Sequence, residues 1–242
     1  EPFGLKTTVI GNPAISRHVQ GDAVRFRQAH HLPETEKIVL VLPGSRPSEI
    51  KRVAPELVEA ARKLKSNDPS LNIVFMPASN VASQFSEAFP GLSDWAIVSS
   101  DPGMRYDAMA AADLALACSG TVTTELAMQD TPMIVAYKTG WITWTLARGL
   151  LYSKRHITLL NIVSDDQEIV PEFVQTRQKA DDIVAKAQNW LDNPAELAAQ
   201  LNLQRKALER MKEGDRDASE IAAGVILEEA AARSAGVISH QS

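Results

Sequence analysis

Several features that commonly reveal a protein's class are missing from this sequence of 242 residues. There is one cysteine, Cys118, so neither an internal disulfide nor a cysteine-rich zinc cluster is possible. No apolar run reaches the roughly 18–20 residues of a membrane-spanning helix. The chain also begins without a signal-peptide pattern, and we therefore expect a cytoplasmic protein.

The charge balance and the spacing of potential metal ligands argue against two further kinds of protein, those that bind nucleic acid and those that bind a metal. The formal net charge is −5, which argues against a protein that neutralises many nucleic-acid phosphates. The five histidines lack metal-ligand spacing, and no Asp-x-Asp pair follows a predicted strand. We expect no nucleic-acid partner, no bound metal and no cofactor. Hydrophobic residues make up 45% of the chain, which is enough for a full core.

Short apolar runs alternate with helix-period segments through the first half of the chain. Such runs predict strands at residues 38–42, 71–76, 95–98, 114–117 and 133–137. Helices are predicted between them, one with its apolar face running from Ile50 to Leu64 and others at 80–89, 104–112 and 121–129. This alternation predicts an α/β protein with a doubly wound parallel sheet.

The composition changes after Pro171. Three helices rich in alanine, glutamate and lysine are predicted near residues 178–192, 195–212 and 216–233. The sequence thus predicts a Rossmann-like domain over residues 1–177, a C-terminal helical extension over 178–233 and a flexible tail over 234–242.

The first candidate binding sequence follows the first predicted strand. Gly44 permits a tight turn, and Ser45 supplies a hydroxyl at a predicted helix start. Arg46 adds a permanent cation that can bind a phosphate through two hydrogen bonds. It is not a Walker loop, because the required lysine is missing. The same residues also suit an ordinary strand–helix turn with a capping serine.

The second candidate binding sequence follows the fourth predicted strand. Ser119, Gly120 and Thr121 are expected to present free N–H groups at a helix start, which suits an anion. Glu125 lies one turn beyond Thr121, where a carboxylate can accept hydrogen bonds from the diol of a ribose. A capped helix with an acidic first turn is the alternative. Because ligands of parallel sheets bind at the carboxyl ends of strands, the two sequences together predict a nucleotide site.

Five motifs occur in order along the chain. They are Leu-Pro-Gly-Ser-Arg-x-x-Glu-Ile at 42–50, Ser-Gly-Thr-x-x-x-Glu at 119–125, Pro-Met-Ile-Val-Ala-Tyr-Lys at 132–138, Leu-Leu-Asn-Ile-Val at 159–163 and Val-Pro-Glu-Phe-Val-Gln at 170–175. Together these motifs resemble those of the lipid-A-disaccharide synthases, and the resemblance runs from about residue 11 to about residue 229.

That resemblance implies the C-terminal, nucleotide-binding half of a two-domain GT-B glycosyltransferase. The family transfers 2,3-diacylglucosamine from UDP-2,3-diacylglucosamine to 2,3-diacylglucosamine 1-phosphate. The reaction inverts the sugar, uses no metal, and yields the β-1,6-linked lipid A disaccharide and UDP. The N-terminal half, which carries the general base, is expected to precede Glu1, and the chain by itself is therefore expected to be inactive.

The resemblance also implies roles for particular residues. Arg46 is expected to stabilise the departing diphosphate as a catalytic residue, and Glu125 to bind the ribose. The full set expected to bind nucleotide or substrate is Gly44, Ser45, Arg46, Glu49, Ser119, Gly120, Thr121, Glu125, Asn161, Glu172 and Gln175.

The segment from Lys138 to Arg155 combines tryptophans with four basic residues and no acidic one. This pattern suits an interfacial helix on an anionic membrane, and the alternative is a helix packed within the protein. With the resemblance, it predicts a peripheral protein of the bacterial inner membrane. A homodimer is a further expectation. Two other functions remain open, namely a UDP-sugar 2-epimerase and a non-catalytic nucleotide-binding module.

Overall fold

The computed structural model describes residues 19–138, 156–211 and 218–238, together with residues 7, 8, 10 and 15. The chain divides into two compact units. Residues 19–208 form one unit, which contains the sheet, and the other unit includes the last helix. All the described candidate site residues belong to the first unit.

Six parallel strands form one sheet within the described residues. They are β1 (Ile38–Leu42), β2 (Asn72–Phe75), β3 (Ile97–Val98), β4 (Leu114–Cys118), β5 (Met133–Tyr137) and β6 (Glu172–Val174). Their order across the sheet is β3-β2-β1-β4-β5-β6, which is the strand order of doubly wound dinucleotide-binding folds. The predicted doubly wound parallel α/β sheet is confirmed.

The strand order reverses between β1 and β4, and both strands are buried along their whole length. This explains why each is a continuous apolar run and not an alternating one. Their register pairs Leu42 with Ala117. The loops that leave these two strands therefore start side by side at the same edge of the sheet.

Ten α-helices are described. They are α1 (Ala23–Ala29), α2 (Pro47–Arg52), α3 (Ala54–Asn67), α4 (Ala82–Ala88), α5 (Arg105–Ala111), α6 (Val122–Met128), α7 (Leu159–Val163), α8 (Ala180–Asp192), α9 (Pro194–Arg210) and α10 (Ala218–Ile238). Helix α8 packs against α3, and its Trp190 is buried in the main core cluster. Helix α9 is tied to the start of β5, because Gln204 Nε2 donates to the Thr131 carbonyl at 3.1 Å.

Several predicted elements differ in detail from those observed. The helix predicted as continuous past Ile50 is two helices, α2 and α3, that meet at Val53. Pro55 explains the break, since it has no N–H to donate to the carbonyl four residues earlier. Helices α4 and α5 each follow a short 3-10 turn, Ser79–Val81 and Pro102–Met104 respectively.

The C-terminal part also differs from the pattern-based expectation. The sequence pattern does not predict β6, since three residues are too few to show a strand period. Helix α10 continues to Ile238, into the segment expected to be a tail from Ser234. The domain boundaries at 177 and 233 stay predictions.

The start of the described sheet unit is anchored by a buried carboxylate on α5. Asp107 accepts hydrogen bonds from the Asp22 N–H at 2.8 Å and from Arg25 Nε at 2.5 Å. Burial acts to raise the pKa of Asp107, but these two hydrogen bonds and the Arg25 charge lower it below its ordinary value. Gly21 lies against this helix, where a Cβ would come within 2.0 Å of the Tyr106 carbonyl oxygen.

No helix in the described part of the chain is both long enough and apolar enough to span a membrane.

Candidate functional site

A cavity of about 350 Å³ opens at the carboxyl edge of the sheet, where four strands end. It is lined by Gly44 and Ser45 after β1, residues 77–80 after β2, residues 100–102 after β3 and residues 119–121 after β4, with side chains from α2, α5 and α6. The cavity lies at the point where the strand order reverses, which is the usual ligand position in open parallel sheets. The structure therefore brings both candidate binding sequences to one cavity.

The turn after β1 is held from beneath by Glu49. The buried Glu49 carboxylate accepts the Ser45 N–H at 2.8 Å and the Arg46 N–H at 3.2 Å. Gly44 has a φ of +129°, a conformation that side-chain-bearing residues rarely adopt. Glu49 thus organises the turn, and the two N–H groups it accepts are already bonded within the protein.

Arg46 follows the lining residue Ser45 but is not itself among the lining residues. Its side chain is 72% exposed, and its Nη1 donates to Glu49 Oε1 at 3.2 Å. The guanidinium is thus at the surface next to the cavity, with most of its donors facing solvent.

The turn after β4 differs from the expectation in one respect. The Ser119 N–H is not free, because it extends the strand ladder by donating to the Ala136 carbonyl at 3.2 Å. The N–H groups of Gly120 and Thr121 donate to no group in the described part of the chain, and both residues are exposed. Two of the three expected backbone donors are therefore available to a ligand.

Glu125 lines the cavity, and it is paired with an arginine that sequence reasoning missed. Arg105 Nη2 donates to Glu125 Oε2 at 2.5 Å across the gap between α5 and α6. Arg105 is the first residue of α5, the α-helix that follows β3, so the strand-end rule applied to a third strand points to it. Asn80, after β2, was also missed; it lines the cavity, and its Nδ2 donates to the Ser45 carbonyl at 2.9 Å.

The remaining chemistry of the cavity is limited. Cys118 also lines it, but burial raises the pKa of the thiol, which disfavours the reactive thiolate form. No cluster of three or more histidine, cysteine, aspartate or glutamate residues that could hold a metal ion occurs in the described part of the chain. The cavity instead offers hydroxyls, two backbone donors and one arginine–glutamate pair, which suits a hydroxylated anion.

A family model described as lipid-A-disaccharide synthetase matches residues 1–226 of the chain. The chain belongs to this family. Two curated relatives are the lipid-A-disaccharide synthases of Paramagnetospirillum magneticum and Rickettsia felis, each 34% identical, over 236 and 230 residues. Both alignments cover 94% of this chain, which spans 58% and 57% of the respective relatives. The chain thus spans little more than half the length of these relatives.

Solved structures share the fold of this family member. A sucrose-phosphate synthase from Thermosynechococcus elongatus superposes with a TM-score of 0.58 at 16% identity, and the match covers 91% of this chain and 52% of the synthase chain. A putative UDP-N-acetylglucosamine 2-epimerase from Listeria monocytogenes superposes with a TM-score of 0.58 at 14% identity, and the match covers 91% of this chain and 54% of the epimerase chain. WaaG, a glycosyltransferase involved in lipopolysaccharide biosynthesis, superposes with a TM-score of 0.56 at 15% identity, and the match covers 89% of this chain and 54% of the WaaG chain. The fold is that of one half of a GT-B glycosyltransferase.

Two residues of the later family motifs belong to a buried network outside the cavity lining. Asn161 is fully buried and accepts the N–H groups of Ile169 and Val170 at 2.9 and 2.8 Å. Its Nδ2 donates to Glu172 Oε1 at 2.9 Å. The buried Glu172 carboxylate also accepts the Thr158 N–H at 2.6 Å. Asn161 and Glu172 therefore connect β6 to α7, and a contact with substrate stays a prediction.

Gln175 and the basic segment Lys138–Arg155 are the two remaining predicted contacts. Gln175 follows β6 at the carboxyl edge of the sheet, where it is buried with a left-handed φ of 56°. It is not among the residues that line the described cavity. Of the segment Lys138–Arg155, residues 139–155 lie outside the described residues, so its predicted membrane contact stays a prediction.

Proposed function

We propose that this chain is the donor-binding half of a lipid-A-disaccharide synthase. The observation that carries the proposal is the cavity at the strand-order reversal, in a chain of this family, with Glu125 on its wall and the Gly120 and Thr121 N–H groups at its edge. In this proposal the donor is UDP-2,3-diacylglucosamine, the acceptor is 2,3-diacylglucosamine 1-phosphate, and the products are the β-1,6-linked disaccharide and UDP.

Each part of the cavity has a role in this reaction. The Gly120 and Thr121 N–H groups and the hydroxyls of Ser45 and Ser119 bind the diphosphate oxygens of the donor. Arg46, one residue beyond Ser45, supplies positive charge as negative charge develops on the departing UDP. Glu49 acts indirectly, because its carboxylate holds the turn that carries Ser45 and Arg46.

The Glu125 carboxylate accepts the two ribose hydroxyls of the donor. A carboxylate has about four lone-pair sites, so its hydrogen bond with Arg105 leaves capacity for a diol. The general base belongs to the other half of the full-length protein.

We also propose that the protein works in the cytoplasm as a peripheral protein of the inner membrane, through the segment Lys138–Arg155, and that it forms a homodimer. Co-sedimentation with anionic vesicles tests the membrane contact, and light scattering tests the dimer.

Titration calorimetry with UDP, CDP and GDP tests donor binding. We expect saturable binding that prefers UDP and that weakens by about tenfold or more in both Arg46→Ala and Glu125→Ala, because each loses a charge-assisted contact. Arg205→Ala is the matched control, since it removes an exposed arginine paired with Asp130 away from the cavity. Unchanged UDP binding in both site variants would refute the proposal.

The likeness to a UDP-N-acetylglucosamine 2-epimerase concerns the fold alone, since the identity is 14%. The epimerase alternative makes a distinct expectation, which is turnover of UDP-N-acetylglucosamine without any acceptor. Turnover of that sugar nucleotide by the chain in the absence of any acceptor would favour the epimerase.

A further inference from the structure

We propose that Arg105 is a positioning residue of the nucleotide site, which holds the Glu125 carboxylate in the orientation that accepts the ribose hydroxyls. The inference rests on the proposed donor-binding function and extends it to a residue outside the five sequence motifs. Arg105 and Glu125 are 20 residues apart in sequence, and each stands in the first turn of a different helix.

The contact is well placed for this role. Arg105 Nη2 lies 2.5 Å from Glu125 Oε2, and the side chains are 36% and 19% exposed. Both residues line the same cavity. A charge-assisted hydrogen bond at a partly buried position restricts a carboxylate far more than a fully solvated pair does. The side chain of Glu125 is therefore fixed at the cavity wall before any ligand arrives.

No other basic side chain can substitute for Arg105 among the cavity-lining residues in the described part of the chain. Two other carboxylates line the cavity, but each is already used locally. Glu49 accepts the Ser45 and Arg46 N–H groups, and Asp101 Oδ1 accepts the Gly103 N–H at 2.8 Å. Glu125 is thus the one of these carboxylates that combines an arginine partner with an oxygen left for a ligand, because Oε1 accepts no bond from any described residue.

The guanidinium in turn depends on Glu125. Its Nε–H is buried and donates to no described group. The ion pair with Glu125 is therefore the polar contact that fixes the guanidinium, so the two side chains act as a unit. Groups that act as a unit show strong coupling when both are replaced.

A direct contact between Arg105 and the diphosphate is the competing role, and a set of variants and ligands separates the two. Calorimetry would compare the wild-type chain, Arg105→Ala, Arg105→Lys, Glu125→Gln and the double variant, with UDP and with 2′,3′-dideoxyuridine 5′-diphosphate as ligands. Arg205→Ala is the control, and thermal unfolding checks that every variant is folded.

If Arg105 positions Glu125, Arg105→Ala weakens UDP binding by about tenfold, and Arg105→Lys recovers part of this loss, because an ammonium keeps the charge without the planar fork. In the Glu125→Gln background the Arg105→Ala change has less than about a twofold further effect. The loss caused by Arg105→Ala also falls below about twofold with the dideoxy ligand, since that ligand has no diol to recognise.

Three results would overturn the positioning role while leaving the proposed function in place. The first is an Arg105→Ala loss that is as large with the dideoxy ligand as with UDP, and the second is a loss that adds fully to that of Glu125→Gln; each indicates a direct phosphate contact. The third is unchanged UDP binding in Arg105→Ala while Glu125→Gln weakens it. If the wild-type chain shows no preference for UDP over CDP and GDP, the proposed function fails and this inference fails with it.

Discussion

Glu49 shows how a family motif residue can organise the backbone of a turn at a cavity. Its carboxylate is buried beneath the turn after β1, where it accepts two successive N–H groups. A buried carboxylate needs such donors, since an unpaired charge in the interior is costly. The motif spacing places Glu49 three residues after Arg46, which is the spacing at which a helix side chain reaches back to its own start.

Gly44 is required by this arrangement. A Cβ at position 44 would lie 2.6 Å from Glu49 Cβ and 2.7 Å from Glu49 Oε2, and the φ of +129° is unfavourable for any side chain. We expect Gly44→Ala to lower the free energy of unfolding by about 1–3 kcal/mol, measured by urea denaturation. Gly120→Ala is the matched control, because a Cβ there meets nothing within 4 Å. Equal stability of the two variants would contradict this account.

At the scale of elements, α7 and β6 show why some secondary structure escapes pattern reasoning. The helix has five residues and the strand three, so neither displays a hydrophobic period. The network of Asn161 and Glu172 connects them through side-chain hydrogen bonds to backbone groups. These elements are thus specified by polar contacts, which a periodicity argument does not detect.

We therefore expect Asn161→Ala to be one of the more damaging single changes in this part of the chain. It leaves the N–H and the carbonyl of the buried Val170 without their Asn161 partners and should cost about 3 kcal/mol or more, at about 1–3 kcal/mol for each unsatisfied group. Urea denaturation gives the total, and hydrogen exchange should show lost protection over residues 156–172. Asn202→Ala, at an exposed asparagine on α9, is the control. A cost no larger than that of the control would disprove the role of this network.

Helices α2 and α3 show that a hydrophobic period can predict helical structure correctly and still miss a break within it. The apolar spacing from Ile50 to Leu64 correctly predicts helix over most of this segment, since these side chains bury one face. The break at Val53 follows from Pro55, a residue that the spacing alone does not weigh.

At the scale of the whole molecule, the chain covers little more than half of its curated relatives. If the general base and acceptor contacts belong to the other half, this chain alone binds UDP weakly and forms no disaccharide. An assay with UDP-2,3-diacylglucosamine and the acceptor checks this expectation, with the full-length relative from Paramagnetospirillum magneticum as the positive control. Robust disaccharide formation by this chain alone would show that it carries the complete catalytic machinery.

The sequence by itself determined the fold class, five of the six strands and the positions of the two candidate binding turns of this protein. These features depend on local information, because buried parallel strands require continuous apolar runs and tight turns require residues such as Gly44. The family motifs added the expected donor, the expected acceptor and the catalytic role expected of Arg46.

Only the tertiary structure decided which of these pieces meet. The strand order places the turns after β1 and β4 side by side, and it brings Arg105 to Glu125 across 20 residues of sequence. It also placed Asn161 and Glu172 in a buried network and left Arg46 on the surface. These are contacts between residues distant in sequence, and their free energies depend on how helices and strands pack, which no local pattern contains.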